Sequence, residues 1–310
     1  MSDDLRPEMG SLRLRLPASS ANLGPGFDAA AVALDFYLEI EAKPAAEFSI
    51  TATGRDAERC GRLEDNLILD LYRRLLQENG RSTVPLVIRM DNGIPLGMGC
   101  GSSAAGRLAG IALAVHFGQL GWSSERIVEE ASVLEGHPDN AAACWLGGFV
   151  ATASEGRHVH VARVVPPAEW RAIVVLPADP LPTSKARAVL PAAYSRGDVV
   201  ANIQSVALLG LAFAEARTDL LRIAMSDRIH QPYRAPICPL LPLVGEQGIV
   251  GVALSGAGPA VLVVVANEAS LPQALTAIRN RALENHLEPE LVECRLRPEG
   301  ARELSEPSMG

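Results

Sequence analysis

Three glycines stand at alternate positions, Gly97, Gly99 and Gly101, and run directly into Ser102, Ser103 and a stretch of helix-forming composition from Ala104 to Leu120. Glycines so spaced let a loop adopt positive φ and bring its backbone amides close to a ligand. A helix start behind them adds free N–H groups and the positive end of its dipole. Together they form an anion cradle, although the same residues also suit a flexible strand-to-helix turn with a serine cap. No lysine follows the glycines, so this is not a Walker P-loop, and the pattern is not the dinucleotide fingerprint. Ser103 would put a hydroxyl on the first helical turn, where it either reaches a metal bridging phosphates or acts as an ordinary N-cap.

A second cluster, Glu135-Gly-His-Pro-Asp-Asn140, gathers two carboxylates, an imidazole and an amide into six residues at a predicted helix end. Turn chemistry accounts for Gly136, Pro138 and Asn140, but not for so many ionisable groups. A carboxylate can ligate magnesium, and an aspartate can accept or position a hydroxyl proton. Zinc is disfavoured, because the other histidines are scattered and His158 and His160 alternate as strand residues do. Arg187 and Arg234 lie in turn-rich segments; isolated arginines are usually solvated, but a pair can clamp a carboxylate bidentately. Ala253-Leu-Ser-Gly-Ala-Gly-Pro-Ala260 separates two apolar runs, with Gly256 and Gly258 free to expose amides to phosphates or to a neighbouring domain.

Periodicity supplies the elements that would position these groups. Apolar residues alternate from Ser11 to Leu16 and from Val32 to Ile40, which reads as half-buried strands. Between them, Pro17-Ala-Ser-Ser-Ala-Asn-Leu-Gly-Pro-Gly-Phe-Asp28 looks too long and irregular for a tight hairpin and is expected to be a functional loop. A helix is predicted from Asp65 with Leu67, Leu71 and Leu75 on its apolar face and Gly80 beyond its end, then a strand from Val84 to Met90, and a second helix from Ser124 to about Leu134. From Arg171 onward the order strand, helices, strand, strand, helix, strand matches a ferredoxin-like split unit. The Pro166-Pro167 pair is the expected domain boundary, dividing residues 1–166 from 167–310.

Composition sets outer limits. Of 310 residues 48% are hydrophobic, enough for a large core and two domains. With 28 basic against 36 acidic side chains the formal net charge is −8, which disfavours long polyanions such as nucleic acid and anionic membrane surfaces. Only Lys43 and Lys185 are lysines. The N-terminal stretch lacks the pattern of a secretion signal, and no apolar run approaches the roughly 18 residues that span a bilayer. The five cysteines are scattered and odd in number, as expected for reduced thiols in a cytoplasmic protein.

As an ordered set, these segments resemble the GHMP family of small-molecule kinases over nearly the whole chain. Pro17 to Asp28 is similar to its first motif, Pro95 to Ala105 to its ATP loop and Val252 to Val263 to its third motif. Glu135 to Asn140 and Asp227-Arg-Ile-His-Gln-Pro-Tyr-Arg234 resemble stretches of the family's homoserine branch. The resemblance implies a two-domain α+β fold: an N-terminal mixed α/β domain with a left-handed-type βαβ ATP loop, and a C-terminal ferredoxin-like sandwich. It implies transfer of a phosphoryl group from ATP to the L-homoserine hydroxyl, with Mg2+, in a cytoplasmic homodimer on the way to threonine.

By motif, ATP would lie on Pro95, Leu96, Gly97, Met98, Gly99, Cys100, Gly101, Ser102, Ser103, Ala104 and Ala105, with magnesium near Ser103 and Glu135. Asn22, Asp28, His137, Arg187 and Arg234 would bind substrate, and Asp139 and Asn140 would act at its hydroxyl, Asp139 positioning rather than serving as a strong base. The chain departs from the family pattern at Cys100, usually leucine, at Ala29 to Ala31 after Asp28, and at Val133, where a second glutamate is common. Two other readings stay open: a kinase of the same family for another small alcohol, and a non-catalytic ATP-binding protein on the same scaffold.

Overall fold

In the computed structural model, which describes residues 10–238 and 243–304, the first alternating segment does not stop at Leu16. Strand β1 (Leu12–Asn22) continues through the small residues Ala18 to Ala21 and turns at Leu23-Gly24-Pro25 into β2 (Gly26–Pro44). The two pair antiparallel, Leu16 opposite Leu38 and Asn22 opposite Gly26, with irregularities after Pro17 and Ala21. The expected long loop is therefore a hairpin with a tight turn. Period two is invisible there because β1 is covered on both faces from Leu16 onward, so every position is buried. The acidic N-terminal stretch up to residue 9 lies outside the described residues.

β3 (Ser49–Gly54) leads through α1 (Ala57–Cys60) and α2 (Leu67–Glu78) to β4 (Leu86–Asn92), which runs parallel to β3. The start of α2 lies past the predicted Asp65: Asn66 is the cap, its Oδ1 accepting from the amides of Ile68 and Leu69, both at 3.2 Å. That turns Ile68, Leu71, Tyr72 and Leu75 into the core and leaves Leu67 42% exposed, off the face predicted for it. The helices α3 (Ser102–Gly118), α4 (Ser124–Glu135) and α5 (Asp139–Leu146) follow. The hairpin of β5 (Phe149–Glu155) and β6 (His158–Val164) extends the sheet, β5 pairing with β2.

Across Pro166-Pro167 the chain enters a second sheet at β7 (Arg171–Leu176). Then come α6 (Thr183–Ala188), α7 (Arg196–Ala214), α8 (Thr218–Ala224), α9 (Gln231–Arg234), β8 (Gly251–Leu254), β9 (Val261–Val265), α10 (Leu271–Glu284) and β10 (Glu290–Arg295), while β11 (Arg302–Glu303) returns to β1. The first sheet has the order β11-β1-β2-β4-β3 and the second β10-β7-β9-β8, every pair of the latter antiparallel. This is the ferredoxin-like order expected for the C-terminal half.

One apolar core joins the two halves. Phe149 of β5 stacks on Phe213 of α7 (centroids 4.3 Å apart) and Trp170 meets the same ring edge-on at 5.2 Å. Such ring pairs are worth about 0.5–1.5 kcal/mol each beyond their buried area. By length and composition α7 could cross a membrane, which the sequence reading did not anticipate. In the fold its Asn202, Ser205, Leu209, Ala212 and Phe213 are buried, and a single helix of this kind is weak evidence for a membrane span, since core helices can pass the same test.

Candidate active site

Four consecutive carbonyls of the glycine loop are tied to the scaffold. Gly97 O accepts from Leu181 N (3.3 Å), Met98 O from Ala260 N (3.2 Å), Gly99 O from the Ser255 hydroxyl (2.7 Å) and Cys100 O from Ser19 N (3.1 Å). The amides of Gly97 to Gly101 donate to no group among the described residues, and so remain available to an anion. Glycine is required at Gly99 (φ 83°), where a Cβ would run into the Ser255 carbonyl, and at Gly101 (φ 72°), where it would strike the Ser19 hydroxyl. Gly101 itself is the left-handed cap of α3, no side chain caps the helix, and its first turn holds no acidic residue. Ser102 and Ser103 are thus the first helical residues, their hydroxyls not spent on capping, and the positive helix end is uncompensated.

Met98 and Cys100 point away from this face into the core, 7% and 0% exposed. Burial, slightly offset by the charge of Arg55, pushes the Cys100 thiol up to about 12, so it is chemically quiet. Neither they nor Pro95 line the cavity in front of the loop, whereas Leu96, Gly97, Gly99 and Gly101 to Ala105 do.

The cluster expected at the end of one helix lies between two. Gly136 closes α4 in the left-handed conformation, and Asp139 opens α5, a helix the turn signals of Pro138 and Asn140 had masked. Asp139 is 1% exposed; its Oδ1 accepts from Asn140 N and pairs with His137 Nδ1, both at 2.7 Å. Its Oδ2 is buried without any partner, a costly condition unless a ligand donates to it. Burial works against the His137 imidazolium, but the hydrogen bond to Asp139 and the charges of Asp139, Asp28 and Glu135 outweigh it, so His137 holds its proton above the ordinary range. Asn140 Oδ1 accepts from the Ser19 hydroxyl (2.8 Å), which braces α5 on β1.

At the far end, Asn22 and Asp28 flank the tight turn, both at positive φ (70° and 54°). Asn22 Oδ1 accepts from Asp28 N (3.0 Å) and its Nδ2 donates to Gly256 O (2.7 Å), so Asn22 sets the position of Asp28 and ties β1 to the second sheet. Gly256 N in turn donates to Ala21 O (3.0 Å), which makes the Ala253 to Ala260 segment a joint between the halves at this point. Asp28 accepts two bonds from Arg187, at 2.8 and 3.0 Å, and this pairing raises the arginine's proton affinity.

Arg234 is 1% exposed, its Nε donating to Ala186 O (3.0 Å) and its Nη1 to His230 Nδ1 (3.1 Å). Burial lowers its proton affinity, and the nearby charge of Arg187 adds to this. Both guanidiniums lie 5.4 Å from the Phe27 ring centroid. His230 donates from Nε2 to Gly24 O (2.7 Å).

Apart from Ser19, His230 and the loop residues already set aside, these groups share one cavity of about 550 Å³, lined also by Arg59, Cys60, Asp65, Asn66, Leu67, Ile68 and Ile94. Asp28, His137 and Asp139 present ligand atoms within 4.8 Å of one another, with Asp28 bound to Arg187 and His137 to Asp139. For magnesium the informative pair is Ser103 and Glu135. Both accept from one nitrogen, Nη1 of Arg107, so two hard oxygen donors already converge on a single cation. That donor set suits magnesium. Sequence reasoning missed Arg107, Ser19, Phe27 and the apolar end of the cavity. Arg107 was legible as the residue one helical turn after Ser103; the apolar end was not, because α1, α2 and β4 bring it together only in the fold.

Residues 66–148 match the family model described as the GHMP kinases N terminal domain. A homoserine kinase of Solibacter usitatus is 46% identical over 254 residues, covering 81% of this chain and 84% of that protein. That of Deinococcus radiodurans is 38% identical over 266 residues, with 84% and 85% covered. The crystal structure of homoserine kinase from Cytophaga hutchinsonii superposes with a TM-score of 0.79 at 23% identity, over 95% of this chain and 97% of that one. L. major mevalonate kinase shares the fold at a TM-score of 0.71 and 14% identity, over 94% and 97%. With relatives this similar over most of its length, the chain belongs to the homoserine kinase family within the GHMP kinases.

Proposed function

We propose that the protein transfers the γ-phosphoryl group of ATP to the side-chain hydroxyl of L-homoserine, giving ADP and O-phospho-L-homoserine, in the cytoplasm and as a homodimer. The observation that carries this reading is the unpartnered Oδ2 of Asp139, set in one cavity with a glycine-loop anion cradle and an Asp28/Arg187/Arg234 cluster. An amino-acid zwitterion would place its carboxylate on Arg187 and Arg234 and its ammonium on Asp28. Its hydroxyl would then donate to Asp139 Oδ2 and face the loop.

Phosphoryl transfer needs positioning and charge neutralisation more than covalent chemistry. The free amides of Gly97 to Gly101 and the start of α3 would hold the triphosphate, with Ser103 and Glu135 as the residues to ligate magnesium. Bound there, the metal would neutralise phosphate charge. Asp139 orients the hydroxyl and accepts its hydrogen bond, and His137 keeps the carboxylate fixed through Oδ1. The apolar Leu67, Ile68 and Ile94 offer a surface for the nucleoside.

A coupled ADP-release assay tests the reading with L-homoserine, serine and mevalonate, with and without Mg2+. Homoserine-dependent ADP that requires Mg2+ is expected, with Asp139→Asn lowering kcat by about 10²-fold or more through loss of the hydroxyl contact. Absence of homoserine-dependent ADP would reject the assignment, and full turnover by the variant would reject the role of Asp139.

A further inference from the structure

The residue that joins Ser103 to Glu135 has no part in the reading above. Arg107 lies one turn along α3 from Ser103, on the same helix face, and its Nη1 donates to both the Ser103 hydroxyl and Glu135 Oε1. The contact to Glu135 is partly sheltered, with the Arg107 side chain 23% exposed and that of Glu135 10%, while the contact to Ser103 faces solvent. The other carboxylate oxygen of Glu135 lies 3.9 Å from His137 Nε2, so positive groups approach it from both sides. Arg107 also lines the cavity in front of the glycine loop.

A sheltered carboxylate beside an anion cradle would repel a triphosphate unless its charge were balanced. In this chain, whose only lysines are Lys43 and Lys185, a guanidinium supplies the balance, and it does so at the point on which both oxygen donors converge. One point cannot hold a guanidinium nitrogen and a divalent ion together. We infer that Arg107 is a displaceable internal cation: it occupies the position between Ser103 and Glu135 in the metal-free protein, and a divalent ion binds there only by expelling it.

Two consequences separate this from a plain structural salt bridge. Metal binding to the protein alone is weakened, since it must break two charge-assisted hydrogen bonds. Nucleotide favours metal entry beyond its own ligation, because an expelled guanidinium on the cavity wall finds phosphate oxygens as new acceptors. Metal and nucleotide are therefore coupled through Arg107, and the coupling is reciprocal.

This inference rests on the nucleotide reading of the loop, and the experiment separates the two. Mn2+ affinity is measured by electron paramagnetic resonance for wild type, Arg107→Met and Arg107→Gln, with and without a non-hydrolysable ATP analogue. Calorimetric L-homoserine binding serves as the control for folding. Without nucleotide, both variants should bind Mn2+ at least about tenfold more tightly than wild type, since neither has the two charge-assisted bonds of Arg107 to break. The gain that nucleotide adds should shrink by a similar factor, and adding Glu135→Gln to Arg107→Met should abolish the tighter binding. Nucleotide binding with Mn2+ affinities unchanged or weakened in both variants would overturn the inference alone. Failure of wild type to bind the nucleotide analogue would overturn the loop reading and the inference with it.

Discussion

Replacing Arg187 by methionine should separate substrate affinity from stability, and the geometry sets the size of each effect. Arg187 makes two bonds to Asp28, but the side chains are 39% and 31% exposed, which places the pair with surface ion pairs worth at most about 1 kcal/mol. The melting temperature should therefore fall by no more than about 2–4 °C for a chain of this size. Losing the arginine removes a charge-assisted contact to the homoserine carboxylate, worth about 1.5–3 kcal/mol. It also frees Asp28 from an internal competitor, which returns up to about 1 kcal/mol to the ammonium contact. The net loss of roughly 0.5–3 kcal/mol predicts a KM for homoserine raised between about twofold and 150-fold.

In the same variant kcat should stay within about threefold, because Asp139 and the glycine loop are untouched. The decisive comparison uses 3-amino-1-propanol, which keeps the hydroxyl and ammonium but lacks the carboxylate. Its KM should be unchanged or lower in the variant. An equal rise in KM for both substrates, or none for homoserine, would refute the assignment of Arg187 to the carboxylate.

Gly99→Ala should abolish detectable nucleotide binding and cost about 1–3 kcal/mol of stability, since φ is 83° and a Cβ meets the Ser255 carbonyl. Gly80→Ala, at φ 65° in open space, should cost about 1 kcal/mol and leave binding intact, and equal behaviour of the two in calorimetry would contradict the packing argument. His230→Leu removes the acceptor for Arg234 and the donor to Gly24 O, so the KM for homoserine should rise about tenfold while that for ATP holds.

The same histidine carries a pH signature: burial first and Arg234 next hold it below the usual value, with Asp227 opposing. Because the fold keeps it neutral, the unfolded chain takes up the extra proton below about pH 6.5. Stability should then drop as pH falls from there, and denaturant melts of His230→Leu should lose that part of the slope.

The C-terminal ferredoxin-like order and the glycine-loop helix were legible because they are carried by local signals: apolar runs of strand length, glycine punctuation and helix-forming composition. The first motif was misread for the opposite reason. A strand covered on both faces by small residues shows neither alternation nor bulk, so Ala18 to Ala21 looked like loop, while Gly24 and Pro25 in a tight turn looked like more of the same. α5 was hidden by the turn residues that begin it, although its first residue is the buried Asp139. Residue types identified the candidate site well where a motif concentrated them. They could not reveal that Asn22 acts as a brace between halves, or that the loop's carbonyls are anchored by Ser19, Leu181, Ser255 and Ala260, since those partners come from three separate parts of the chain.

Of the acids that line a cavity proposed to receive a polyanion, the three nearest the glycine loop and the substrate end already have a basic partner: Asp28 has Arg187, Glu135 has Arg107 and Asp139 has His137. The pairing explains how a chain with net charge −8 can present carboxylates beside a phosphate cradle. Unpaired, they would repel the nucleotide and would be costly at exposures as low as the 1% of Asp139. Paired, two of them can exchange one cation for another, ammonium for Arg187 on Asp28 and a divalent ion for Arg107 on Glu135, so that neither carboxylate is left uncompensated. Exchange costs less than charging an empty site, because the desolvation of each carboxylate was met when the protein folded. Asp139 differs, since its histidine partner stays in place and its Oδ2 is, among the described residues, a buried carboxylate oxygen without a partner. On this logic affinity depends on the two exchangeable arginines, while turnover depends on the pair that does not exchange.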